Sequence, residues 1–231
     1  MINKITKDGT VYFYKNILKY VSTDLKVLDI GAGRGAWLED HDKNRLKFRD
    51  LRGKVSKIVG LDISQSIKDN KYLDEAIIYD GNKFPFGEGT FDIIICDFVL
   101  EHISAVETFS SEIFRVLKEN GKFFARTPHK FNYASLLSSL FGKIKIDQSI
   151  LKFAQPNKKI IDSFKTNYKI NTINEILDIF PTNKFKVDHE IIVGKPAYFF
   201  DNIYLYKFFY IIHLFFPKIF VGTILISLTK K

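Results

Sequence analysis

The sequence predicts an α/β domain built on a mostly parallel sheet, and three observations carry that reading. Short apolar runs, among them Val27-Leu28-Asp29-Ile30, Lys57 to Ile63 and Ile93-Ile94-Ile95-Cys96, have the length and composition of buried strands. The first run stops at Gly31-Ala32-Gly33-Arg34-Gly35 and a helix-compatible segment follows, giving the order strand, tight glycine loop, helix. With 231 residues, 46% hydrophobic and 15% aromatic, the chain can bury one substantial core as a single domain, and global disorder is excluded.

Taken in order, Tyr12 to Val21 places Phe13, Ile17 and Leu18 on one helical face, so a short amphipathic helix should precede the first strand. After the glycine loop a long crossover, Trp37 to Lys57, holds the basic stretch DHDKNRLKFRDLRGKV and reads as an insertion beside the loop. The second strand is KIVGLDI, ending at Asp62 and Ile63. The next connection, Ser64 to Asp74, is short, with a loop or single turn expected at Asp69 to Leu73. Glu75 to Asp80 is the third strand. Pro85, Gly87 and Gly89 make Asn82 to Thr90 a loop before the fourth strand. Ser104 to Leu117 reads as a helix, and Asn120-Gly121 is a turn signal ahead of KFFARTP, the fifth strand.

Residues 129–169 then break the alternation with apolar stretches among lysines, read as one or two inserted helices. Asn171 to Phe180 is a helix with Thr172 or Asn171 as N-cap and Glu175 in its first turn. Phe185 to Val193 and Thr223 to Thr229 are the sixth and seventh strands. Between them residues 197–221 are strongly aromatic but interrupted by Asp201, Lys207, His213 and Pro217-Lys218. A bilayer span needs roughly 20 nearly uncharged residues, so this segment should not cross a membrane. It suits a helix packed on the fold, a homodimer interface, or peripheral contact with a membrane surface.

The glycine loop is built to hold something small, because glycines with positive φ let backbone approach a ligand where a Cβ would block it. Gly31-x-Gly33-x-x-Ala36 satisfies the loose dinucleotide fingerprint, which keeps an NAD-dependent oxidoreductase open. Asp29 argues otherwise: at a strand end its carboxylate would repel a pyrophosphate and favour a cationic ligand. Gly35 completes D-x-G-x-G-x-G, and here the chain resembles the class I S-adenosylmethionine (SAM) methyltransferases, of the methyltransferase type 11 kind. The likeness continues at later strand ends, in KIVGLDI, in EAIIYD-Gly81, in FPFGEGTFDIIICDFVLEHI and in EIFRVLK leading through Asn120-Gly121 to KFFARTP. The RDLRGKV segment is similar to one in members associated with glycan synthesis.

That resemblance implies a Rossmann-like, seven-stranded, mostly parallel sheet with helices on both faces. It implies SAM as cofactor, held by Asp29, Gly31, Ala32, Gly33, Gly35, Asp62, Ile63, Asp80, Gly81 and Asp97. Asp62 would accept from the ribose hydroxyls and Asp80 from the adenine amino group, under the 82–90 loop. Residues 129–169 would form the acceptor side. The implied reaction is O-methylation of a sugar, glycan or lipid-linked small acceptor, with a SAM-binding module lacking turnover as the alternative. For a hydroxyl acceptor, Glu101, His102 and His129 are the candidate acid–base residues. Some relatives bind a metal through E-x-x-E-H; here the first position is Phe98, so no metal site is expected.

Composition narrows the setting. Cys96, the one cysteine, lies in a buried strand and reads as packing, and residues 1 to 25 show no signal core, so a cytoplasmic protein is expected, with the inner face of a membrane as a second setting. The net charge of +9 invites anionic partners, but no recognised nucleic-acid module is present and none is expected as a partner.

Overall fold

The computed structural model describes residues 2–6, 8–133, 135–136, 166–196 and 202–231. The expected helices of the 129–169 insertion fall mostly outside the described residues, as do the first five residues of the 197–221 segment.

Among the described residues seven strands form one sheet: β1 (Lys26–Ile30), β2 (Lys57–Asp62), β3 (Glu75–Ile78), β4 (Phe91–Asp97), β5 (Leu117–Pro128), β6 (Phe185–Val193) and β7 (Gly222–Lys230). Their order is β3-β2-β1-β4-β5-β7-β6. The first five pair in parallel, while β7 runs antiparallel to both β5 and β6. Strand order reverses direction between β1 and β4, and sheets of this topology take their ligands in the crevice at the carboxyl ends of the strands at such a point.

Alternation along the strands feeds two cores. Leu28, Ile30, Ile94, Cys96 and Phe123 point to one face, where α3 (Val106–Val116) and α4 (Ile173–Ile179) cover them. Val27, Ile58, Ile93, Ile95 and Phe124 point to the other, packed with Phe13, Tyr14 and Ile17 of α1 (Gly9–Leu18) and with Leu51. Burial of Cys96 at 0% exposure agrees with a packing role.

Several boundaries differ from expectation for local reasons. Helix α1 starts at Gly9 rather than Tyr12 because the Asp8 carboxylate accepts from the Val11 N–H at 2.9 Å. After the glycine loop comes only a 3₁₀ turn, Ala36–Glu39; Asp42 then caps a separate short helix, α2 (Lys43–Arg49), through the N–H groups of Asn44 and Arg45. The basic stretch is thus part of the fold, and Leu51 within it is fully buried. The strand assignment runs through Asn120-Gly121, where Asn120 has φ 61° and the β4–β5 register shifts. Helix α4 carries the complete capping box, Thr172 with Glu175. The aromatic segment contains α5 (Ile203–Phe215) and α6 (Lys218–Val221).

Candidate functional site

The glycine loop leaves β1 with Gly31, Gly33 and Gly35 at φ 70°, 52° and 75°, in the left-handed region that only glycine enters freely. A Cβ at Gly31 would meet Val99 Cγ2 at 2.2 Å, and one at Gly35 would meet Asn70 Oδ1 at 2.5 Å. Around Gly33 nothing lies within 4 Å of that position, so the middle of the loop presents open backbone to the crevice.

Two side chains hold this loop. Asp62, at the end of β2 and 5% exposed, accepts the Gly33 N–H on Oδ2 at 2.8 Å and the Ser64 N–H on Oδ1 at 2.8 Å. Each carboxylate oxygen keeps a second lone pair. Asn70, also 5% exposed, donates to the carbonyls of Ala32 and Gly33 at 3.0 and 3.1 Å while accepting the Tyr72 N–H at 3.1 Å. No sequence signal marks Asn70; it follows a 3₁₀ turn and reaches the loop only through the β1–β2 pairing. Ile63, next to Asp62, is 56% exposed beside Gly81, and Asp80 turns its carboxylate onto the N–H and side-chain amide of Asn82. The 82–90 loop is fastened from α3: Glu112 accepts the Phe84 N–H, and Arg115 donates to the carbonyls of Phe84 and Phe86.

The floor of the crevice carries charge. Asp97, at the end of β4, pairs with Arg126 through both carboxylate oxygens, with Arg49 at 3.3 Å, and accepts the Tyr14 hydroxyl at 3.1 Å. Burial alone would raise its carboxyl, but Arg126 and Arg49 outweigh that and hold it below the usual carboxylate range. Arg49 also lies over the rings of Tyr14 and Trp37 at 5.4 and 5.2 Å. Asp97 is therefore already held by protein groups on both of its carboxylate oxygens. Neighbouring Asp29 is different: burial, with repulsion from Asp97 and Asp62, pushes it up to about 7 against the opposing pull of Arg49. A nearby cation returns such a desolvated carboxyl to its ionised form. Arg49 belonged to the basic stretch that sequence reading singled out, but Tyr14 and Arg126 had no local signal of such a role.

The acid–base candidates come from two places in the chain, the turn Leu100–His102 and the residue after β5. Glu101, 6% exposed, accepts from the Thr127 hydroxyl at 2.9 Å, and burial pushes its carboxyl up to about 7. Thr127 in turn is bonded by the Asn171 amide. His102 follows in the turn Leu100–His102, half-buried, its carbonyl accepting from the Asn167 side chain at 2.7 Å. His129 is 4% exposed, its Nδ1 accepting the Phe131 N–H at 3.2 Å, and burial lowers its pKa. Among the described residues no group of three or more His, Cys, Asp and Glu side chains could hold a metal.

Residues 28–125 match the family described as methyltransferase domain. An uncharacterized protein of Methanocaldococcus jannaschii is 30% identical over 173 residues, 74% of this chain and 66% of that protein. A demethylmenaquinone methyltransferase of Lactococcus lactis subsp. lactis is 32% identical over 43% of this chain and 40% of its own. The chain thus spans about two fifths to two thirds of the length of these curated relatives. Among solved structures, a SAM dependent methyltransferase from Archaeoglobus fulgidus superposes with TM-score 0.58 at 17% identity, covering 96% of this chain and 92% of that one. Geranyl diphosphate C-methyltransferase from Streptomyces coelicolor A3(2), solved with S-adenosyl-L-homocysteine, gives TM-score 0.61 at 15% identity, covering 96% and 77%. At these identities the structures establish the fold.

Proposed function

We propose that this chain, whose residues 28–125 match the methyltransferase-domain family and whose fold is shared with SAM-dependent methyltransferases, is a class I SAM-dependent methyltransferase that moves the methyl group of SAM to an oxygen of a small acceptor, a sugar, a glycan or a lipid-linked molecule. The observation that carries this reading is the left-handed glycine loop, open at Gly33, with the Asp62 carboxylate beneath it and the desolvated Asp29 beside it. The residues present fit the cofactor: an open backbone cradle, an acceptor with lone pairs to spare for a diol, and a carboxyl that a sulfonium would return to its charged form.

In this reading Gly31, Ala32, Gly33 and Gly35 give backbone approach, Asp62 and Ile63 take the ribose side, Asp80 and Gly81 the adenine, and Asp29 the cationic end. Asp97 acts through Arg126 and Arg49, fixing the crevice floor. SAM, when bound, supplies a methyl group on a good leaving group, so the protein's task is alignment of the acceptor and exclusion of water. A hydroxyl acceptor must also lose a proton. In this reading Glu101, whose burial raises its pKa to about 7, and the half-buried His102 take it. His129 has Nδ1 occupied by the Phe131 N–H, so its neutral ring carries the proton on Nε2 and donates rather than accepts.

Calorimetric titration tests the cofactor: binding of S-adenosylhomocysteine without binding of NAD is the expected result, and binding of NAD alone refutes the reading. Labelled SAM offered with hydroxylated sugars and their hydroxyl-protected forms tests the acceptor atom. Label on the protected forms as readily as on the free ones refutes O-methylation.

A further inference from the structure

Helix α5 is apolar nearly all round, yet polar anchors hold one face of it. His213, 4% exposed, uses Nδ1 toward the Gly194 carbonyl at 2.8 Å and Nε2 toward the Tyr133 hydroxyl at 3.2 Å. Asn3 donates from its side chain to the carbonyls of His213 and Phe216 and from its N–H to that of Leu214. Phe209 stacks on Tyr133 with centroids 5.4 Å apart. These contacts fix the rotation of the helix about its axis.

The face turned outward is a continuous ridge. Tyr204, Phe208, Ile211 and Phe215, spaced 4, 3 and 4 apart, are 80%, 58%, 56% and 60% exposed, and Phe216 and Phe220 extend the ridge at 50% and 38%. Contiguous aromatic surface of this kind marks a binding face rather than ordinary exposure. No helix among the described residues is long and apolar enough to cross a membrane, so the ridge lies along a surface if it meets lipid.

Charge decides between occupants. From Asn202 to Lys231 the sequence contains no aspartate or glutamate, while Lys207 and Lys218 flank the ridge and Lys4 and Lys195 adjoin its anchors Asn3 and Gly194. Two copies of a chain of net charge +9 meeting through this face would bring like charges together. A layer of lipid phosphates would neutralise them. The ridge also stands at the reactive end of the molecule, since α6 leads into Gly222 and Thr223 pairs with Pro128 at the carboxyl end of β5.

We propose that the outer face of α5, with the turn into α6, seats on an anionic lipid bilayer, the aromatic side chains entering the boundary between headgroups and acyl chains and the lysines facing phosphate. The observations behind this are independent of which acceptor atom is methylated. The test is sedimentation of the full chain with phosphatidylcholine vesicles with and without phosphatidylglycerol, comparing wild type with Phe208→Ser/Phe215→Ser. Both positions are exposed, so the variant keeps its core. The expected result is binding to anionic vesicles that weakens with salt, is much lower on neutral vesicles, and falls by about tenfold or more in the variant. Three results would each overturn the proposal: wild type left in solution at low salt, a variant that binds as well as wild type, or a wild-type dimer by sedimentation velocity that the double substitution disperses.

Discussion

Replacing Asn70 by alanine should loosen the glycine loop without touching any group that faces a ligand. Three hydrogen bonds disappear, two to loop carbonyls and one from the Tyr72 N–H, all at a residue 5% exposed. At about 0.5–1.5 kcal/mol net for each bond, the loss is roughly 2–4 kcal/mol, reduced where water enters the space left behind. Released glycines regain more backbone freedom than any other residue, so the loop must be reordered when a ligand binds. The expected readouts are a drop of about 2 kcal/mol or more in urea unfolding and an S-adenosylhomocysteine dissociation constant raised about tenfold, equivalent to ~1.4 kcal/mol. Trp37, the single tryptophan, lies 4.8 Å from the Tyr72 ring and gives a local fluorescence signal for the unfolding curve. Asn70→Asp is the companion variant: it retains an acceptor for Tyr72 but sets a carboxylate against two carbonyls, and should bind the ligand no better than the alanine form. Stability within about 0.5 kcal/mol of wild type, together with an unchanged dissociation constant, would refute the view that Asn70 preorganises the loop.

Three further outcomes are expected. Asp62→Ala should weaken S-adenosylhomocysteine binding at least about tenfold in calorimetry, since charge-assisted hydrogen bonds are worth roughly 1.5–3 kcal/mol each before water compensates; an unchanged affinity in a folded variant removes Asp62 from the site. Asp97→Ala strands Arg126, whose side chain is 6% exposed, and should destabilise by about 3–5 kcal/mol in denaturant unfolding, whereas a loss under about 1 kcal/mol would show the pair to be unimportant. Glu101 has its folded pKa raised from 4.5 to about 7, so the fold favours its protonated form. That contribution is complete below the unfolded pKa and fades as pH rises through about 7. Glu101→Gln stays neutral, so its stability relative to wild type should climb by roughly 2–3 kcal/mol between about pH 5 and pH 8, and parallel unfolding curves across that range would refute the shift.

Much of the parallel half of the fold could be read from short windows. The run before Gly31, the left-handed glycines and the acidic residue closing the second strand are local patterns whose chemistry is set by backbone conformation and by the face a strand residue occupies. The capping box of α4 is equally local, since Thr172 and Glu175 satisfy each other within one turn. The sixth strand, Phe185–Val193, has the bounds that the sequence predicts.

Other features depended on which strands become neighbours. The antiparallel placement of β7 between β5 and β6 follows from how the chain returns after α6, and no window of sequence encodes that. Asp97 meets Arg49, Arg126 and Tyr14 across 48, 29 and 83 residues of sequence, and no local pattern announces those partners. Asn70 meets the glycine loop across 37 and 38 residues. Sequence by itself determined the first strand and the glycine loop that ends it, because those rest on each residue's own backbone preference. The tertiary structure decided which charges are paired, which carboxyls are desolvated and which side of α5 faces outward, because those are set by neighbours that the chain supplies only once it is folded.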